Sequence, residues 1–328
     1  MFESNMNPRL KGALLGLAAF LAFSTHDVVL KVLGATYSPF QVIFFSSLFA
    51  FPLVTVLLIT DKSADNLRPH HPWLVGLRTL TIATSNLCLI YAYANIPLAQ
   101  AYAIIFATPL IITILAVPVL GEKVRFYRGA AVVVGLIGVI VVIRPGEADF
   151  TLGHAAALLA AFCGAVSSLI VRKIGHEERN VVLLLFPFIG FFLIAGTVMP
   201  FVYRPLPMEH LGMQGLAAIL SVAGLICMIL AYKAAEAALV APMQYSQIVW
   251  ATLYGILLFN EFPDTVTVIG AGIIISSGLF IIFRETRANT SANTPVLNAR
   301  TRMIANLREP SRDDEKIDGH ARDDRAMS

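Results

Sequence analysis

The chain has 328 residues, of which 57% are hydrophobic and only 14% are charged, and its mean hydropathy is +0.75. Soluble domains contain roughly 45–50% apolar and about 25% charged residues, so this composition excludes an ordinary soluble domain. The charged residues cluster between long uncharged stretches, as in a multi-span membrane protein. The net charge of +3 is small and belongs to these clusters, so we expect no nucleic-acid partner.

Ten apolar segments are long enough to cross a bilayer, which takes about 20 helical residues. Uninterrupted apolar runs favour helices over alternating strands, because lipid cannot satisfy backbone polar groups. We therefore predict an all-α integral membrane protein with ten transmembrane helices. The predicted spans are 10–33, 39–60, 72–94, 98–119, 126–143, 152–172, 181–203, 212–233, 239–259 and 265–283.

Lys and Arg residues are concentrated on one side of the predicted membrane, whereas the other side carries only Lys31, Arg144 and Arg204. The positive-inside rule assigns the basic side to the cytoplasm. The sequence thus predicts an inner-membrane protein with both termini cytoplasmic. Residues 1–9 form the N-terminal segment, and the polar, charged residues 286–328 are predicted to form a disordered tail.

The two halves of the chain resemble each other at an offset of about 140 residues. Matched pairs include Tyr93 with Tyr232, Glu122 with Glu261, and Arg144 with Arg284. The predicted repeats are residues 10–147 and 148–285, with five spans each. Because five is odd, the repeats must have opposite orientations, an arrangement typical of secondary transporters that bind substrate at the repeat interface.

Several short segments carry a resemblance to a known family. In the first half they are Tyr93-Ala94-Asn95-Ile96-Pro97-Leu98-Ala99, Gly121-Glu122-Lys123 and Arg144-Pro145-Gly146, and in the second half Ala231-Tyr232, Ala241-Pro242 and Asn260-Glu261. Together they resemble the EamA-type transporters of the drug/metabolite transporter superfamily. The resemblance implies transport of a small organic compound, although the second span has Phe44-Phe45-Ser46-Ser47 where members often carry an arginine.

The first predicted span contains three ionisable residues, His26, Asp27 and Lys31. Such groups are costly inside a bilayer and are candidates for function. Asp27 or His26 could bind a proton or a cationic group of the substrate and couple its transport to protons. Alternatively, Asp27 and Lys31 could neutralise each other, since residues four apart share one helical face.

Polar and aromatic residues in three other spans are candidates for substrate binding. Gln244, Gln247 and Tyr254 follow helical spacing and form one stripe along the ninth span, which should not face lipid. At the repeat offset, Thr108 corresponds to Gln247. The remaining candidates are Asn86, Tyr245 and Trp250. The alternative for all of them is a hydrogen-bonded seam between helices.

Three further features favour structural roles. Arg78 is predicted to anchor its span at the membrane interface. Glu122 and Glu261 are predicted to interact with nearby helix starts. His70-His71 and His176-Glu177-Glu178 lack a metal-ligand pattern and are predicted to be solvated loop clusters.

The function favoured by these patterns is alternating-access transport of a small organic metabolite, with a planar vitamin or nucleoside-type compound such as riboflavin as the first choice. The alternatives are export of amino acids or drug-like metabolites and import of S-adenosylmethionine. A membrane-embedded enzyme finds little support, because only His26-Asp27 and scattered serines could supply its groups. We predict no cofactor and no metal site; a substrate and the lipid bilayer are the expected partners, and small-residue motifs are compatible with a homodimer.

Overall fold

In a computed structural model of the protein, the structure describes residues 8–59, 68–121, 126–144, 150–175, 177–178, 180–235 and 237–287. Within these ranges all regular elements are helical. They are α1 (Pro8–Thr36), α2 (Pro39–Ile59), α3 (Pro72–Asn95), α4 (Leu98–Ile105), α5 (Thr108–Leu120), α6 (Phe126–Ile143), α7 (Leu152–Ile174), α8 (Asn180–Val202), α9 (Met208–Ala234), α10 (Ala237–Val240), a 3₁₀-helix (Ala241–Tyr245), α11 (Ser246–Phe259) and α12 (Thr265–Arg287).

These helices occupy the ten predicted spans, which confirms the predicted all-α membrane fold. Among the described residues, six helical stretches are long and apolar enough to cross a bilayer, and three shorter apolar helices accompany them. The fourth span is formed by α4 and α5, and the ninth by α10, the 3₁₀-helix and α11. The predicted Glu122 interaction and nearly all of the predicted tail lie outside the described residues.

The helix packing reflects two five-helix repeats. Matching α1–α6 with α7–α12 in order pairs α1 with α7 and α3 with α9. The contact between α1 and α9 is then equivalent to the contact between α7 and α3, and both pairs pack extensively. The pairs α2 with α8 and α6 with α12 join equivalent helices of the two repeats. This pairing is what a two-fold relation between inverted repeats requires, and it brings α1, α4 and α11 together at the interface.

Small residues allow the repeats to approach closely at α6 and α12. A Cβ atom on Gly138 would lie 3.0 Å from the carbonyl oxygen of Gly270, and one on Gly270 would lie 2.8 Å from that of Gly138. Nearby, Ser277 donates a hydrogen bond to the carbonyl of Ala131 over 2.6 Å. Close backbone contact of this kind stabilises helix pairs within lipid.

Both central spans are broken at equivalent positions. In the first repeat, α4 ends at Ile105 and α5 begins at Thr108, with Pro109 in its first turn. In the second repeat, the chain forms a 3₁₀-helix that contains Pro242 and ends at Tyr245. Proline removes a backbone donor from the helix, which accounts for both interruptions. Broken helices at a repeat interface expose polar backbone where a substrate can bind.

Candidate substrate-binding site

Asp27 is the centre of a polar cluster inside the helix bundle. Its side chain is 13% exposed, and its Oδ1 lies 2.8 Å from Nδ1 of His26. The other oxygen, Oδ2, accepts a hydrogen bond of 3.0 Å from the hydroxyl of Tyr93 and a second from that of Tyr102. These donors come from α3 and α4, so the carboxylate joins three helices of the first repeat.

Lys31 does not neutralise Asp27, so the predicted ion pair within α1 is wrong. The ammonium lies 2.7 Å from Oε1 of Glu261 and donates to the carbonyl of Ile96 over 2.9 Å. Glu261 follows α11 in the second repeat. Its carboxylate reaches the Lys31 ammonium across the repeat interface and takes the place that the Asp27 carboxylate was expected to fill. Within the described ranges, the partners of Asp27 therefore include no permanent cation.

A row of aromatic rings leads from Asp27 to the second repeat. The rings of Tyr93 and Tyr102 are 5.8 Å apart, those of Tyr102 and Phe106 are 5.9 Å apart, and those of Phe106 and Tyr245 are 5.3 Å apart. Phe106 and Tyr245 stand at equivalent breaks of the two central spans. Rings at this spacing form favourable aromatic contacts and offer faces to a planar or cationic group.

The predicted polar stripe of the ninth span faces the protein interior. Gln247 is buried, whereas Val249 and Leu257 on other faces of α11 are exposed. The hydroxyl oxygen of Tyr254 lies 2.7 Å from that of Thr25, which precedes Asp27 by two residues on α1. Trp250 has a buried indole nitrogen with no hydrogen-bond partner in the described part of the chain.

The other candidates are engaged locally. Asn86 donates to the carbonyl of Ile82 over 3.1 Å, and Thr108 donates to that of Ile105 over 2.6 Å, each within one turn of its own position. Asn86 lies two helical turns before Tyr93 on α3 and therefore on a related face. Gln244 lies in the 3₁₀-helix next to Tyr245. Their assignment to substrate binding stays a prediction.

The two tyrosines that bind Asp27 were not among the residues predicted from sequence for this site. Tyrosine is common in apolar helices, and neither its spacing nor its neighbours marked these positions. Tyr93 drew attention only as a landmark of the repeat. A usable signal would have been that Tyr93 and Tyr102 flank the short turn at Ile96-Pro97, so that both can face α1.

One prediction outside this cluster is wrong, and another holds in part. Arg78 is 2% exposed and donates to the carbonyl of Leu183 on α8 instead of reaching the interface. In the loop clusters, His70 and Glu177 are exposed, and the His71 side chain binds that of Glu177 at the surface, whereas Glu178 is buried and accepts a hydrogen bond from the backbone N–H of His71. His176 lies outside the described residues. Arg78 and Glu178 illustrate the need to pair buried polar groups.

One crevice in the described residues lies away from Asp27. It lies between α2, α3 and α8, and its lining is apolar, including Phe40, Leu87 and Phe191. Without a polar group, this crevice cannot orient a metabolite. The Asp27 cluster therefore remains the chemically defined site, and its low exposure indicates that the structure is closed around it.

A membrane fold of two five-helix repeats, with polar groups gathered where the repeats meet, is typical of membrane transporters. The chain belongs to the EamA-like transporter family, whose model matches residues 10–144 and 151–283. This assignment agrees with the family resemblance of the sequence motifs. The family and the relatives below are transporters, not enzymes.

Characterised relatives differ in the compound that their names specify. The chain is 31% identical over 294 residues to an S-adenosylmethionine uptake transporter of Rickettsia prowazekii, covering 87% of this chain and 98% of the relative. It is 29% identical to a riboflavin transporter of Rhizobium johnstonii, covering 84% and 92%. It is 24% identical to a pseudopaline exporter of Pseudomonas aeruginosa, covering 80% and 93%.

One solved structure has the same fold. It shares 18% sequence identity with this chain, covers 85% of it and 99% of its own length, and superimposes with a TM-score of 0.58. This likeness concerns the fold alone. The protein is accordingly a multi-pass membrane transporter of a small molecule.

Proposed function

We propose that the protein transports S-adenosylmethionine across the cytoplasmic (inner) membrane by alternating access, with both chain termini in the cytoplasm. The observation that carries this proposal is the buried carboxylate of Asp27, whose potential counter-ion Lys31 is bound to Glu261. A buried carboxylate needs a cation or a proton as a partner. S-adenosylmethionine supplies a permanent positive charge at its sulfonium sulfur.

The surroundings of Asp27 suit the rest of such a molecule. Tyr93 and Tyr102 hold the carboxylate by their hydroxyl groups while their rings begin the aromatic row toward Tyr245. A sulfonium between a carboxylate and aromatic faces gains both ion pairing and cation–π attraction. The adenine ring can then stack farther along the row, where Phe106 and Tyr245 meet.

The relatives support the same choice. An S-adenosylmethionine uptake transporter matches 87% of this chain at 31% identity. The riboflavin relative is 29% identical and keeps riboflavin, the first choice from sequence, as the second candidate. Riboflavin is planar but uncharged, so it would use the aromatic row and leave Asp27 to bind a proton.

The test is uptake of radiolabelled S-adenosylmethionine and riboflavin into proteoliposomes. We expect the unaltered protein to take up S-adenosylmethionine. In Asp27→Asn, we expect the affinity for S-adenosylmethionine in uptake to fall by about tenfold or more, which corresponds to a loss of roughly 1.4 kcal/mol or more of binding free energy. Glu209→Gln is the matched control, because it removes one exposed carboxylate at the start of α9. Uptake of riboflavin alone, unchanged in Asp27→Asn, would refute the proposal.

Proton coupling is assigned to the same cluster. Asp27 and His26 are the groups that could exchange a proton, and Tyr93 and Tyr102 face them from α3 and α4. We expect Asp27→Asn to abolish any dependence of exchange on a pH gradient. An unchanged dependence in that variant would exclude coupling through Asp27.

A further inference from the structure

Lys31 and Glu261 join the two repeats at one end of the helix bundle. Lys31 belongs to α1 in the first repeat and is 7% exposed, whereas Glu261 lies between α11 and α12 in the second. Their charged atoms are 2.7 Å apart, and the ammonium also lies 5.1 Å from the ring centre of Phe259. Movement of the repeats apart at this end must break this ion pair.

Glu261 also contacts the helix that carries part of the Asp27 site. Its Oε2 accepts a hydrogen bond of 3.1 Å from the backbone N–H of Leu98, at the start of α4. A carboxylate is favoured at this position by the helix dipole. Tyr102, a donor to Asp27, follows four residues later on the same face of α4. Glu261 is therefore linked to the site through α4 and through Lys31.

Lys31 has a second carboxylate within reach along its own helix. Asp27 precedes it by four residues, a spacing that brings Cβ atoms to about 5–6 Å. If the segment with Glu261 moves away, the buried ammonium loses its partner, and leaving it unpaired is costly. The long lysine side chain can then turn back along α1 toward Asp27.

We propose that Lys31 is a switchable counter-ion, which binds Glu261 when this end of the transporter is closed and Asp27 when it is open. The inference rests on the proposed function and adds a substrate-exchange step to it. Lys31 lies near the C-terminal end of α1, which the predicted orientation places on the non-cytoplasmic side. In the closed state, Asp27 is available to a cationic substrate. In the open state, the ammonium competes with the substrate for the same carboxylate and so controls exchange of substrate with that side of the membrane.

The closure is tested by distance measurements between spin labels. Cys88, Cys163 and Cys227 are first replaced by serine, and labels are attached at Asn95→Cys and Phe262→Cys, which are exposed positions in different repeats. The protein is measured in lipid nanodiscs by double electron–electron resonance. We expect Lys31→Met and Glu261→Gln to shift the distribution to longer distances.

Lys11→Met is the matched control for the closure, because it removes an exposed lysine from the other end of α1. It should keep the distance distribution of the parent protein. A parent-like distribution in both Lys31→Met and Glu261→Gln would overturn the closure and, with it, the switch.

The exchange of partners is tested by equilibrium binding and uptake of S-adenosylmethionine. Without the competing ammonium, Lys31→Met should bind the substrate as tightly as the parent or tighter. Its maximal uptake rate should fall by about tenfold, because the closing step of the transport cycle is impaired. A loss of affinity in Lys31→Met equal to that in Asp27→Asn would overturn the exchange. A third outcome separates the two proposals: Lys31→Met and Glu261→Gln lengthen the spin-label distance, but Asp27→Asn binds S-adenosylmethionine like the parent. That outcome would refute the proposed function and the exchange of Lys31 between carboxylates. It would leave only the claim that the Lys31–Glu261 ion pair closes this end.

Discussion

Gly278 on α12 lies against the hydroxyl group of Tyr245, so its replacement by alanine tests how tightly α12 packs on the 3₁₀-helix of the same repeat, beside the candidate site. A Cβ atom at this position would lie 1.8 Å from the tyrosine oxygen and 2.8 Å from Cζ, whereas ordinary contacts begin at 3.4 Å. Tyr245 is 6% exposed and its ring contacts Phe106 at 5.3 Å, so it has little room to withdraw.

The expected cost of Gly278→Ala is that of overpacking, about 1–3 kcal/mol in the free energy of unfolding. Gly272→Ala is the control on the same helix, because no atom lies within 4 Å of its Cβ position. That change should be neutral or stabilise the helix by roughly 0.5–1 kcal/mol, since alanine has the higher helix propensity. The two variants thus differ in sign for one chemical change.

The assay is unfolding by sodium dodecyl sulfate in mixed micelles, followed by circular dichroism. The double variant Gly278→Ala/Tyr245→Phe removes the oxygen at 1.8 Å and should recover part of the lost stability. Equal unfolding free energies for Gly278→Ala and Gly272→Ala would refute the reasoning, because they would mean that Tyr245 does not fill the space beside α12.

Two further substitutions probe buried hydrogen bonds. Tyr102→Phe removes a donor to Asp27 and should lower the free energy of unfolding by about 1.5–3 kcal/mol, as for other hydrogen bonds to charged groups. The control Tyr91→Phe, at an exposed position on α3, should leave this free energy unchanged. Equal losses for the two variants in the same unfolding assay would contradict the prediction. Arg78→Met removes the donor to the carbonyl of Leu183 and should weaken docking of α8, detected as faster hydrogen exchange in the first turns of α8. Unchanged exchange there would show that this bond does not hold the helix.

Span positions and repeats could be predicted from sequence because they depend on local properties. A bilayer requires about 20 apolar residues per helix, and this requirement alone located the ten spans. Proline, at residues 109 and 242, is a sequence signal for local distortion, and the structure has a helix break and a 3₁₀-helix there. The repeat offset that pairs Thr108 with Gln247 also pairs Phe106 with Tyr245, and the rings of these two residues are in contact.

Pairings across long sequence separations could not be predicted in the same way. Helical spacing identified Asp27 as the neighbour of Lys31, but Glu261, which is distant in sequence, reaches the ammonium first. The depth of Arg78 suggested an interfacial anchor, yet α8 covers the side chain and supplies a carbonyl. In each case the partner lies on another helix, and a single sequence contains no distance between helices.

The chemistry of the site was only partly visible for a related reason. Asp27 and His26 stand out because ionisable groups are rare in apolar spans. Tyr93 and Tyr102 do not stand out, since aromatic residues are common there and only helix rotation turns them toward Asp27. Gln247 could be assigned to an interior face by periodicity, but its ligand could not be read from that face.

The most direct test of the central claim, that Asp27 binds a positive charge of the substrate, is equilibrium binding of S-adenosylmethionine and S-adenosylhomocysteine to the purified protein. The two compounds differ by one methyl group and the sulfonium charge. The account predicts that the unaltered protein binds S-adenosylmethionine at least about tenfold more tightly and that most of this preference is lost in Asp27→Asn, where only the cation–π attraction to the aromatic rings is left. The same preference in the parent and in Asp27→Asn would contradict it.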